Sequence, residues 1–332
     1  MAPLRLATLG FLVFTVSVSQ AQPAAATYIA LGDSITFGET DLRYIPSFGD
    51  TPSESLRERG YVGLYADYLA SRNNGVRPTV INLAIDGETS TSFSSGVGRT
   101  PPVIGRTDAI LAAQNLNYNP NALVPQRDLF LSRVAREKAA GNTIDTVSIA
   151  LGFNDVAALA SLPNPLDQLP ATLAAYRANY SDVLALVRQQ LPDANLFVLN
   201  YYNPFPANPT SPAAPIFAAG GPLLNSVIRD LATEYGGFYV DTATPFVGNE
   251  AAYTFQDEQP AGSTVKPPFG GVLPIGNVHP NATGYQVIAN QVAAVPEPSS
   301  LGAVLVTGAA FLLRASQRRR VGAASQNENR SA

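Results

Sequence analysis

The chain of 332 residues has no cysteine. That excludes a disulfide framework, a thiolate metal site and a cysteine nucleophile together. It has one histidine, His279, so no site can be built from several imidazoles. Charge is scarce: 14% of the residues are Asp, Glu, Lys or Arg and the net charge is -4. Away from the termini the basic residues form no patch, and nucleic acid is therefore not an expected partner. No motif calls for a metal or an organic cofactor.

Both ends read as addresses and are set aside before the fold is considered. "MAPLRLATLGFLVFTVSVSQAQ" places one cation, Arg5, ahead of an apolar stretch from Leu6 to Val18, followed by small residues at Ser19 and Ala21. This is the pattern of a signal peptide over residues 1–21, with signal peptidase leaving a mature chain that starts near Gln22. At the other end, "VPEPSSLGAVLVTGAAFLLRASQRRR" runs from a Pro-Glu-Pro triplet through an apolar stretch, Leu301 to Leu313, into Arg314 and Arg318 to Arg320. That stretch is shorter than the roughly 20 residues a membrane-spanning helix needs. Residues 295–320 resemble a PEP-CTERM sorting signal. The resemblance implies transient anchoring in the inner membrane, basic side inward, until an exosortase-type enzyme cuts, leaving the protein periplasmic, at the cell surface or secreted. Residues 321–332 read as a disordered tail.

The remaining residues 22–294 suit one large α/β domain. Apolar runs with strand character recur at "TYIALG", "TVINLA", "TVSIALG", "ANLFVLN" and "GFYVD", the last ending at Asp241. Between them lies helical spacing, clearest in Leu173, Tyr176, Tyr180, Val183, Leu184, Val187 and Leu191. Weaker versions cover 61–71, 128–140, 223–235 and 282–292. Strands alternating with helices predict a parallel sheet of about five strands in a three-layer α/β/α sandwich. Four stretches rich in Pro, Gly, Ser and Asn, at 40–59, 89–125, 202–221 and 248–276, read as long connections that wall a crevice. Their aromatics, Tyr44, Phe48, Phe93, Tyr118, Phe205, Phe217, Tyr253, Phe255 and Phe269, suit sugar stacking, acyl-chain contact or packing onto the core.

Four stretches bear on chemistry: "LGDSIT" after the first strand, "NLAIDGETS" after the second, "LGFNDVA" after the third, and "GNVHPNATGYQVIA" near the end. Each alone has an ordinary explanation in turns and helix caps. In this order they resemble the four blocks of the SGNH hydrolases, a branch of the GDSL esterase and lipase family, with a flavodoxin-like sandwich. The resemblance implies that Ser34 is the nucleophile and His279 its base. It makes the Ser34 amide, Gly87 and Asn154 the oxyanion donors. Asp33 reads as a structural residue that orders the nucleophile turn. One position departs from the pattern. The family carries an aspartate three residues before its histidine, where this chain has Gly276. A backbone carbonyl holding His279 in a Ser-His dyad, a carboxylate from Asp257 or Glu258, and a slow enzyme are all consistent with that departure. The sequence thus points to an exported serine esterase acting on acyl or acetyl groups of lipid or polysaccharide. The alternative is a weakly active or non-catalytic glycan-binding protein of the envelope.

Overall fold

The computed structural model describes residues 26–38, 60–97, 124–207, 209–254 and 278–295. The stretch read as signal peptide and residues 296–320 of the one read as sorting signal, together with Gly276, Asp257 and Glu258, lie outside the described residues.

The five apolar runs form five parallel strands: β1 (Ala26–Gly32), β2 (Thr79–Asn82), β3 (Thr143–Ala150), β4 (Asn195–Leu199) and β5 (Phe238–Val240). Their order is β2-β1-β3-β4-β5. Tyr28 to Leu31 are fully buried, as expected of a strand covered by helices on both faces. The order turns back on itself between β1 and β3, the topological switch point at which open α/β sheets form their ligand crevice.

The helices are α1 (Ser34–Phe37), α2 (Gly60–Arg72), α3 (Ser90–Ser95), α4 (Gln126–Ala139), α5 (Phe153–Ala157), α6 (Pro165–Gln190), α7 (Ala214–Glu234), α8 (Glu250–Tyr253) and α9 (Ala282–Ala294). One layer pairs α2 with α9, and the other groups α4, α6 and α7 with α3. The fold is therefore the expected three-layer sandwich.

Three expected connections contain helix, the stretch 248–276 through α8. Residues 89–97 hold α3, begun by a capping box in which Thr89 and Ser92 satisfy each other's backbone N–H. Within 202–221, a turn of 3₁₀ helix at Phe205–Ala207 is followed by α7 from Ala214 onward. Gly220 there reads as a breaker but is a packing residue. A Cβ at that position would lie 2.9 Å from Leu169 Cδ1 and 3.4 Å from Val156 Cγ1, so the glycine lets α7 approach α6 and α5. Pro222 is also carried inside the helix. Among the aromatics of these stretches, Phe93, Phe205 and Phe217 are buried in the core.

Candidate active site

β1 delivers the first chemical group. Gly32 has φ +129°, and a side chain there would collide with the Ala150 carbonyl oxygen of β3. Only glycine lets the strand pass so close to its neighbour. Asp33 follows in an extended conformation, its N–H donating to Ala150 O at 3.0 Å. Its carboxylate accepts from the Ile35 amide through Oδ1 at 3.0 Å and from the Tyr201 hydroxyl through Oδ2 at 2.6 Å. Asp33 is thus the cap of a single helical turn whose first residue is Ser34. The apolar strand ends on a serine because the sheet needs a capped turn there, and the turn lifts the hydroxyl to the rim.

Ile85, Asp86, Gly87 and Glu88 form a turn closed by Glu88 N–H to Ile85 O at 3.2 Å, with φ +73° at Gly87. A positive φ at the third position alone is the demand of a type II turn and favours glycine. The Asn154 side-chain amide, on the first turn of α5, donates to Glu88 O at 3.0 Å and so sits beside this turn. Beneath lies a buried polar network. Gln126 Oε1 accepts from Gly32 N–H at 2.7 Å, and its Nε2 donates to Gly32 O at 2.8 Å and to Glu88 Oε2 at 3.0 Å. Ser92 Oγ donates to the other Glu88 oxygen. Asp155 accepts from Ser90 N–H at 3.0 Å and Ser90 Oγ at 2.5 Å, tying α5 to α3.

The histidine arrives from the far end of the chain. His279 Nε2 lies 2.8 Å from Ser34 Oγ across 245 residues of sequence, and each residue is 8% exposed. The backbone on both sides of the imidazole is held. Before it, Val278 O accepts from the Tyr202 hydroxyl at 2.7 Å. After it, Pro280 bridges Thr254, Asn281 N–H donates to Tyr253 O at 2.9 Å, and Asn281 Nδ2 donates to Ala252 O at 2.8 Å. Asn281 then caps α9 by accepting from Gly284 N–H at 3.0 Å.

Two carboxyl groups here are perturbed. Burial pushes Asp33 up to about 7, against the lowering by the Tyr201 hydroxyl and the Ile35 amide; Asp86 and Asp155 raise it further. Burial likewise raises Asp155 to about 6, opposed by the Ser90 hydroxyl and amide. Tyr201 and Tyr202, both buried, are held well above the ordinary tyrosine range and so remain hydroxyl donors.

Of the residues singled out in the sequence, Ser34 and His279 are in direct contact, and Asn154 sits one residue from Gly87. Gln126, Glu88, Tyr201, Tyr202 and Asn225 were not singled out. Apart from Ser92, four residues from Glu88, the partners that tie them into the site lie between 24 and 168 residues away, beyond any local pattern.

No curated protein matches the sequence. Among solved structures, a lipase from a goat rumen metagenome superposes with TM-score 0.50 at 20% identity, covering 81% of this chain and 97% of the other. Phospholipase A1 from Streptomyces albidoflavus gives 0.49 at 19%, covering 82% and 100%. A variant of an acetylxylan esterase from Geobacillus stearothermophilus gives 0.43 at 18%, covering 80% and 91%. At 20% identity the first of these likenesses is one of fold alone. The sequence itself goes further: residues 30–287, well over half of the chain, match the profile of the GDSL-like lipase/acylhydrolase family, and the chain belongs to that family of ester-hydrolysing enzymes.

Proposed function

We propose that this enzyme cleaves carboxylic esters through an acyl-enzyme on Ser34, and the single observation that carries the proposal is the 2.8 Å approach of His279 Nε2 to Ser34 Oγ. A serine hydroxyl is a weak nucleophile until a base removes its proton. His279 Nε2 takes that proton as Oγ bonds to the ester carbonyl carbon. The carbonyl oxygen becomes an oxyanion, with three donors at hand: the Ser34 amide, the Gly87 amide and the Asn154 side chain, which uses one of its two N–H bonds on Glu88 O. Preorganised donors of this kind are the largest single stabilising term in acyl transfer. When the intermediate collapses, His279 returns the proton to the departing alcohol. Water then repeats the cycle on the acyl-enzyme and releases the acid.

The proposed substrates are acyl or acetyl esters of lipid or polysaccharide, met outside the cytoplasm. That setting rests on the two terminal stretches: export by the signal peptide, transient anchoring through residues 295–320, and release by an exosortase-type enzyme. The glycan-binding alternative rests on Gly276 standing where the family carries an aspartate. One experiment separates the two. A fluorophosphonate probe should label Ser34, and Ser34→Ala should abolish both labelling and the hydrolysis of short p-nitrophenyl esters with folding intact. Hydrolysis by Ser34→Ala clearly above background would refute the mechanism, and an unlabelled wild-type protein would favour the binding role.

A further inference from the structure

The two consecutive tyrosines after β4 divide their hydroxyls between the two halves of the site. Tyr201 donates to Asp33, the cap of the turn that carries Ser34, at 2.6 Å. Tyr202 donates to Val278 O, the peptide immediately before His279, at 2.7 Å. Both side chains are buried, 4% and 3% exposed. The backbone they share is fixed from α7. Asn225 Oδ1 accepts from Tyr201 N–H at 3.0 Å, and Asn225 Nδ2 donates to Tyr201 O at 2.8 Å. Asn200, just before them, donates its N–H to Val240 O at 3.1 Å on β5.

The Tyr202 ring also reaches the second clamp on the histidine. It stacks on Phe246 with ring centres 4.0 Å apart and planes 13° from parallel. Phe246 meets Tyr253 edge-on at 5.3 Å. Tyr253 in turn supplies the carbonyl that holds Asn281, and Gly284 on α9 has no side chain to obstruct that carbonyl. Peptides on both sides of His279 are therefore fastened to one aromatic stack.

We propose that Tyr202 is the positioning residue for His279, and that the Tyr201-Tyr202 dipeptide is a common mount that fixes the spacing between base and nucleophile. In this enzyme the aim of the imidazole comes in part from its backbone, held through Val278 O. Proton transfer needs heavy atoms within hydrogen-bond reach, and a displacement of about 1 Å can cost on the order of 100-fold in rate. The Tyr202 hydroxyl is engaged by Val278 O and makes no contact with Ser34 Oγ or the imidazole, so its loss is expected to act on turnover and leave binding alone. The proposal rests on the serine hydrolase mechanism above, and the experiment keeps the two apart.

Tyr202→Phe retains the ring stack and removes only the hydroxyl. Kinetics with p-nitrophenyl acetate, normalised to folded protein by circular dichroism, should show kcat reduced about tenfold with KM within twofold of wild type. Fluorophosphonate labelling of Ser34, which also needs the base, should slow by a similar factor. Phe246→Leu, which keeps the hydroxyl and loosens its support, should give a smaller loss of the same kind and serves if Tyr202→Phe does not fold. Wild-type kcat and labelling rate in folded Tyr202→Phe would overturn the positioning role, as would a loss confined to KM. Activity surviving in Ser34→Ala, run alongside, would instead overturn the mechanism on which it rests.

Discussion

Asp33 couples the nucleophile turn to pH in a way that can be measured without any substrate. Folding raises its pKa from 3.8 to about 7, chiefly because the carboxyl is fully buried. Between these values the folded chain holds a proton that the unfolded chain has released. The stabilising contribution is therefore fully present below about pH 4 and is lost as pH rises through about 7. A difference of roughly three units corresponds to about 4 kcal/mol. Asp33→Asn removes the ionisation while keeping an oxygen to accept from the Ile35 amide and giving the Tyr201 oxygen an amide donor. Urea unfolding of both proteins from pH 4 to 8 can be followed by far-ultraviolet circular dichroism. The stability of Asp33→Asn relative to wild type should climb by about 4 kcal/mol across that range, most of it between pH 5 and 7. Burial, present in both proteins, is the chief cause of the raised Asp155 pKa, so most of its contribution drops out of the difference. Two stability curves that stay parallel from pH 4 to 8 would show that Asp33 is ionised at no cost in the fold, and the reasoning would fail.

Two further outcomes are expected. Asn154→Ala should lower kcat on short esters by roughly 10²–10³ with little change in KM, as loss of one oxyanion donor does, and a change below threefold would remove Asn154 from that role. Ending the chain after Val295 should move the protein from the inner-membrane fraction to the soluble periplasm or medium with its activity intact. Identical fractionation of the two forms would count against the sorting signal.

The five strands were legible because each has a short apolar run bounded by glycine or polar residues, and the central ones, β1 above all, are buried on both faces. Asp33 as a structural residue was legible too, since Asp before Ser at a strand end has the chemistry of a cap. The start of α7 was not. Gly220, Gly221 and Pro222 look like a connection, and only the proximity of Leu169 shows that the missing side chain at 220 makes room for a helix. Ser34, Gly87, Asn154 and His279 stood out through motifs, whereas Tyr201, Tyr202 and Gln126 did not. A tyrosine beside a strand has every appearance of core. Its hydroxyl becomes informative only when the partner, 168 residues away for Tyr201 and 76 for Tyr202, is known.

The distance along the chain between Ser34 and His279 has a consequence for biogenesis. The proposed nucleophile leaves the ribosome early and its proposed base late, on the segment that leads into α9, which packs against α2 near Gly60. A chain stalled or clipped anywhere before residue 279 has no imidazole at all and cannot carry out this acyl transfer. On the proposed mechanism, unfinished copies are therefore inert toward esters. Turnover becomes a report on completed assembly, and the same property makes release of p-nitrophenol a sensitive gauge of correct folding.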